Sequence, residues 1–278
     1  MKSGLTLIIT ELSYLGIVMA ADTAQTIECR NALGIIEDRA FLGLTKVLPV
    51  LKLQTGLSYW GWAKMPPDSQ SGTWTDWWLR SFIANNEGNF ESIEDLAALL
   101  EKELRKLVPP LTDDELKVMP FGNGGVHLAG YADMKDGRVP CFWHIHNGRS
   151  QALPNKKIDP KIVNANFDVS PERYLEFEKR GATVVIRNGD IEAYARLFEK
   201  YLKEYFLEAG KEMGIVIPVP TIVHRSEFWR AQIRFMSELY GCSGVLSEGT
   251  IKQMSRDIGD EVTVLIITKD GIRSYYTR

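Results

Sequence analysis

Hydrophobic and polar positions change their period several times along the chain, and each change marks an element. Residues 5–10 (LTLIIT) and 263–268 (TVLIIT) are apolar at consecutive positions. A strand with one solvated face would alternate, so both runs predict central strands covered on each side. The first leads through ELSYLG, a candidate turn, into a second apolar strand ending at Asp22. Another extended region covers about residues 33–63. Helical spacing then takes over within 73–86 and again over about 93–107. Ser92 and Asp95 have the spacing of a capping box before that second helix, and Pro109 and Pro110 stop it. Residues 127–148 read as two strands around a Lys-Asp-Gly-Arg turn, and the polar stretch of about 150–170 reads as a loop. Ser170-Pro171 opens a short helix, a longer one starts near Asp190, and a third covers about 226–240. The chain closes on a hairpin with an Asp270-Gly271 turn.

Strands, two helices, strands, helices, strands: that order suits two sheets between two helical layers. It predicts an α+β fold, a four-layer αββα sandwich, in one domain over residues 1–278 with an expanded helical and loop region at about 149–245. Neither a solenoid repeat nor a dividing linker is visible. At 45% hydrophobic and 25% charged, the 278 residues have the balance of a soluble globular protein. A net charge of −3 gives no basic field for nucleic acid or an anionic membrane, so neither is expected as a partner. Cys29, Cys141 and Cys242 are odd in number and far apart, which points to a reducing compartment. Glu11 interrupts the first apolar run before it could serve as a secretory signal, and a cytoplasmic location is the expectation.

Three segments carry a resemblance. GIVMAADTAQT (16–26), HLAGYADMKDGRVPCFWHIHNG (127–148) and SRDIGDEVTVLIITKDGI (255–272) are similar, in that order, to segments of the proteasome β-subunit group of N-terminal-nucleophile (Ntn) hydrolases. The resemblance implies the αββα sandwich already suggested by the element order, and assembly into a homo-oligomer or with related subunits. It also implies a threonine peptidase chemistry without any cofactor. The nucleophile is the hydroxyl of a threonine that has become the first residue, and its free amine, with an ordinary pKa near ~8, is the base. A gap-free count back from Asp22 places that threonine at Thr6. Gly61, in YWGWA, falls where backbone N–H groups would form the oxyanion hole, and Asp257 falls in the family's closing Arg-Asp pair.

The chain also departs from that pattern. The family's lysine belongs about sixteen residues past the aspartate. Counting forward reaches Asp38, with Arg39 beside it as a substitute cation, and no lysine lies between Ser3 and Thr45. A guanidinium does not carry protons as an amine does. Leu5 rather than glycine precedes Thr6. The serine expected after Arg256-Asp257 is replaced by IGDE, and a second supporting serine has no place in RSQALPNKK. The leading expectation is therefore an assembling subunit, noncatalytic or weakly catalytic, in which Thr6 is a strand residue and Asp22 caps a turn. The alternatives are an active threonine-type peptide or amide hydrolase, exposed by removal of residues 1–5, and a binding module. For the last, Trp60, Trp62, Trp74, Trp77 and Trp78 supply either core packing or a contact surface. His144 and His146 alternate on one strand face as a metal pair would, but without an evident third ligand they read as packing residues, and no metal is expected.

Overall fold

The computed structural model describes residues 6–30, 33, 36–41, 43–67, 71–108, 124–135, 137–147, 161–163, 183–189, 208, 212–214, 221–246 and 261–278. Fourteen strands lie among them. The amino-terminal half contributes β1 (Leu7–Ser13), β2 (Gly16–Asp22), β3 (Gln25–Arg30), β4 (Ile36–Phe41), β5 (Val47–Val50), β6 (Thr55–Trp60), β7 (Lys64–Met65) and β8 (Thr73–Trp74). The remaining six are β9 (Gly125–Met134), β10 (Gly137–His146), β11 (Lys161–Val163), β12 (Thr183–Gly189), β13 (Val262–Thr268) and β14 (Gly271–Thr277). Three helices accompany them: α1 (Thr75–Asn86), α2 (Ile93–Leu107) and α3 (Ile222–Leu246).

Two five-stranded sheets dominate the α+β fold. One has the order β12-β1-β2-β13-β14 and the other β11-β10-β9-β6-β5. Every neighbouring pair in both is antiparallel. The continuous apolar runs at the two chain ends do become central strands of one sheet, β1 and β13, with β2 paired between them. Alternate residues of these strands enter two different cores. Leu7, Ile9, Val18, Ala20, Val264 and Ile266 pack with Ile222, Trp229, Ile233 and Met236 of α3. Ile8, Leu12, Ile17, Met19, Leu265 and Ile267 instead meet Val47, Ala129 and Phe142 of the other sheet. A third cluster joins the outer face of that second sheet to Leu79, Phe82, Leu96, Leu100 and Leu104 of α1 and α2. Each fully buried side chain of this kind contributes about 1.5–3 kcal/mol of hydrophobic stabilisation before chain entropy is counted.

Local chemistry sets the element ends. Ser92 accepts the Asp95 N–H at 3.1 Å while the Asp95 carboxylate accepts the Ser92 N–H at 3.1 Å, so the expected capping box opens α2. The first turn ends on Gly16, at φ +139°, where an added Cβ would stand 2.7 Å from the Ile267 carbonyl oxygen. Buried Glu11 is gripped by Arg225 and by the Trp229 Nε1–H, which ties α3 to β1.

Three expectations change. Part of the stretch read as a loop is β11, which pairs with His144–His146. Strand β12 was not expected at all; its TVVIRNG is half-exposed and bracketed by polar residues, and it exists because β1 offers a free edge. The third helix is longer than 226–240, starting after Thr221, whose Oγ1 accepts the His224 N–H at 3.3 Å. The helices expected at Ser170 and Asp190 lie outside the described residues except at isolated positions. Among the described residues no helix is long and apolar enough to cross a membrane.

Candidate active site around Thr6

Thr6 immediately precedes β1, and Asp22 is the last residue of β2, the strand hydrogen-bonded beside it. The antiparallel register, Ile8 opposite Ala21, brings these two positions to the same end of the hairpin. The Asp22 carboxylate is fully buried and multiply bonded. Its Oδ1 accepts the Leu7 N–H at 3.0 Å, and its Oδ2 accepts the Ala24 N–H at 3.0 Å. The side chain thus fixes both chain segments that flank the site.

The decisive group is Lys46. Its Nζ donates to Asp22 Oδ2 at 2.9 Å and to Thr6 Oγ1 at 3.0 Å. Lys46 and Asp22 have no exposed side-chain surface, and Thr6 is 2% exposed. Burial lowers the ammonium pKa, and the Asp22 carboxylate offsets part of that shift by favouring the charged form. A cation donating to a hydroxyl oxygen stabilises the alkoxide that the oxygen would become, while the hydroxyl proton stays free to move to a base.

The expected absence of the lysine is therefore corrected. Lys46 stands 24 positions past Asp22, not sixteen, because the β3–β4 hairpin occupies Gln25–Phe41 between them. Lys46 supplies a cation on Asp22, the role for which Arg39 was the candidate substitute. Arg39 lies on β4 opposite Ile27, with its side chain outside the described residues. The reading of Asp22 as merely a turn cap is corrected with it, since the carboxylate both braces the turn and holds the lysine. Asp257 lies outside the described residues, as do both regions searched for supporting serines.

Gly61 follows β6 with φ +80°, a left-handed conformation suited to glycine. Two residues earlier, the Tyr59 N–H donates to the Lys46 carbonyl at 3.1 Å, which ties the approach to this turn to the lysine's own backbone, just before β5. The turn is also pinned to the start of α1. Thr75 donates its N–H to the Ala63 carbonyl at 3.1 Å and its hydroxyl to the Trp62 carbonyl at 2.7 Å.

The tryptophans divide between their two readings. Trp62 is core, Trp78 stacks on Phe82 with centroids 5.5 Å apart, and Trp77 is 65% exposed. The His144 and His146 rings do meet, tilted by 35° with centroids 4.1 Å apart, and His127 from β9 completes a row at 4.9 Å from His144. Among the described residues no group of three or more His, Cys, Asp or Glu side chains is placed to hold a metal ion. His127 instead bonds Thr10 Oγ1 through Nδ1 at 2.9 Å and Asn188 Oδ1 through Nε2 at 2.6 Å.

Lys46 and His127 are the residues that sequence reasoning missed. For Lys46 the signal was a lone lysine directly before the apolar VLPV, an awkward place for a charge unless it is paired. For His127 it was a third histidine on a strand predicted to pair with the one bearing His144. Compared with known proteins, the chain matches no protein-family model and no curated sequence.

Proposed function

We propose that this protein is a threonine-type peptide or amide hydrolase of the N-terminal-nucleophile kind, built as an αββα sandwich and active once Thr6 is the first residue. One observation carries the reading: a buried lysine ammonium, 3.0 Å from Thr6 Oγ1, is held there by a buried aspartate at 2.9 Å. A strand threonine with only a packing role needs no buried ion pair aimed at its hydroxyl, and such a pair is costly to desolvate. A missing lysine was one ground of the noncatalytic reading, and Lys46 removes that ground. The sandwich reading is supported by the three cores, which interleave α3, one sheet, the other sheet and α1–α2.

The chemistry follows from the groups present. With residues 1–5 removed, the Thr6 nitrogen is an amine rather than an amide and takes the hydroxyl proton. Oγ1 then bonds to the substrate's carbonyl carbon, and the negative charge on the carbonyl oxygen is met by backbone N–H groups at the Gly61 turn. Collapse breaks the C–N bond, the proton passes to the departing amine, and an ester on Thr6 remains. Water, deprotonated by the same amine, cleaves that ester and regenerates the hydroxyl. Lys46 stays protonated throughout, stabilising charge on Oγ1, and Asp22 keeps it in place.

The test is hydrolysis of a panel of fluorogenic peptide amides by the chain beginning at Thr6. Thr6→Ala abolishes turnover and Thr6→Ser retains part of it; equal turnover by wild type and Thr6→Ala would refute the reading. Assembly into a homo-oligomer is supported by Trp77, a large apolar side chain left exposed on α1. Light scattering checks it, and a strict monomer that Trp77→Ser does not alter counts against it.

A further inference from the structure

The hydrolase reading accounts for Thr6, Asp22, Lys46 and Gly61, but not for a buried polar network on the opposite flank of Thr6. Strand β12 pairs with β1 so that Gly189 stands opposite Leu7 and Asn188 opposite Ile8. Gly189 has φ +97°, and a Cβ added there would lie 1.4 Å from the Thr6 carbonyl oxygen. Backbone therefore presses directly on Thr6 from this side, at a position where no larger residue fits. Lys46 and Asp22 hold the threonine's side chain, and the Asn188–Gly189 backbone limits where its main chain can go.

Asn188 is in turn fixed from the other sheet. Its Oδ1 can only accept, so the 2.6 Å contact requires the proton of His127 to be on Nε2. The Nδ1 lone pair then accepts the Thr10 hydroxyl at 2.9 Å. Both ring nitrogens are used in one defined tautomer. The ring is also held edge-on by Phe142, at 5.0 Å and 74°, and by His144, at 4.9 Å and 89°. His144 Nε2 accepts the Nε1–H of Trp60, 3.4 Å away, and Trp60 is the residue before Gly61. One chain of contacts thus links the backbone that braces the nucleophile with the turn that would receive the oxyanion.

We infer that His127 and Asn188 are positioning residues for the Thr6 nucleophile. His127 fixes Asn188, Asn188 fixes the β12 end at Gly189, and Gly189 sets the place of Thr6 relative to the Gly61 turn. The inference rests on the threonine-nucleophile reading. Full burial holds the His127 pKa down to about 3, so the ring stays neutral and its tautomer stays fixed across any ordinary working range. Displacing a reacting group by about 1 Å costs roughly 100-fold in rate, which sets the size of effect expected.

The experiment uses the chain whose N-terminus is Thr6 and a β-lactone as the probe. Thr6 Oγ1 bonds to the lactone carbonyl, the ring C–O bond breaks, and the ring oxygen leaves as a hydroxyl after taking the nucleophile's proton. Intact mass then reads the added acyl group, and concentration series give kinact and KI separately. Asn188→Ala and His127→Leu should lower kinact by roughly 30- to 100-fold with little change in KI. His127→Gln, which can still donate to Asn188 and accept from Thr10, should restore kinact to within about fivefold. A residue that serves only the fold would move the melting temperature and leave kinact of the folded protein unchanged. Wild-type kinact in folded His127→Leu and Asn188→Ala overturns the inference while leaving the hydrolase reading intact. If His127→Leu does not fold, Asn188→Ala at its half-buried position decides alone. A wild-type chain labelled no faster than Thr6→Ala overturns both the inference and the reading beneath it.

Discussion

Separating Lys46 from Asp22 is expected to cost far more than removing both charges together. The two side chains have no exposed surface and lie 2.9 Å apart. In Lys46→Met the carboxylate stays buried and keeps the Leu7 and Ala24 N–H groups but loses the Lys46 ammonium. Removing one partner of a buried ion pair costs about 3–5 kcal/mol. In Asp22→Asn the ammonium is stranded instead. The amide's single oxygen also cannot serve the two backbone donors that the carboxylate oxygens accept separately, which adds about 1 kcal/mol. The double variant leaves neither charge behind, so it should be destabilised by less than the sum of the singles, with a coupling of about 3 kcal/mol. Urea unfolding of the four proteins at pH 7, with m-values checked for constancy, measures each term. Two single variants that each lose no more than about 1 kcal/mol and simply add would mean a solvated pair. That result would refute the buried geometry on which the site depends.

Two further outcomes follow from particular side chains. His127 titrates at about 3 when folded, against an ordinary 6.5, so the unfolded chain binds more protons throughout that interval. Stability is then fully present above pH 6.5 and falls as the pH drops, by about 2 kcal/mol at pH 5 from this residue alone. His144 is pushed in the same direction by burial and by the neighbouring histidines, which steepens the loss. Urea midpoints from pH 7.5 to 4.5 should show it, with a shallower slope in His127→Gln; a flat profile would contradict it. Ser92→Ala should cost about 1 kcal/mol by removing the acceptor for the Asp95 N–H, with no effect on Thr6 acylation, and an unchanged urea midpoint would count against the cap.

What could be read from the sequence was whatever short-range pattern determines. Runs apolar on both faces gave the central strands β1 and β13, an apolar run after a turn gave β2, and Ser92-x-x-Asp95 gave the start of α2. Turn glycines gave the closing hairpins. The pairing of Thr6 with Asp22 was also within reach, because one tight hairpin fixes their relation. Lys46 was not, since a count along the chain cannot know that the β3–β4 hairpin adds length without adding distance. Strand β12 was hidden for a different reason. Its stability comes from the free edge of β1 and its side chains stay half-exposed, so it carries no strong apolar period. The His127–Asn188 contact depends on that unseen strand and on the stacking of two sheets, which no local pattern encodes.

The most direct test of the account is the intact mass of the protein purified from its native host. Loss of residues 1–5, leaving Thr6 as the first residue, is the predicted result, because only then does the threonine beside Lys46 acquire its amine base. A chain that keeps residues 2–5 would leave Thr6 with an amide nitrogen and contradict the proposed hydrolase.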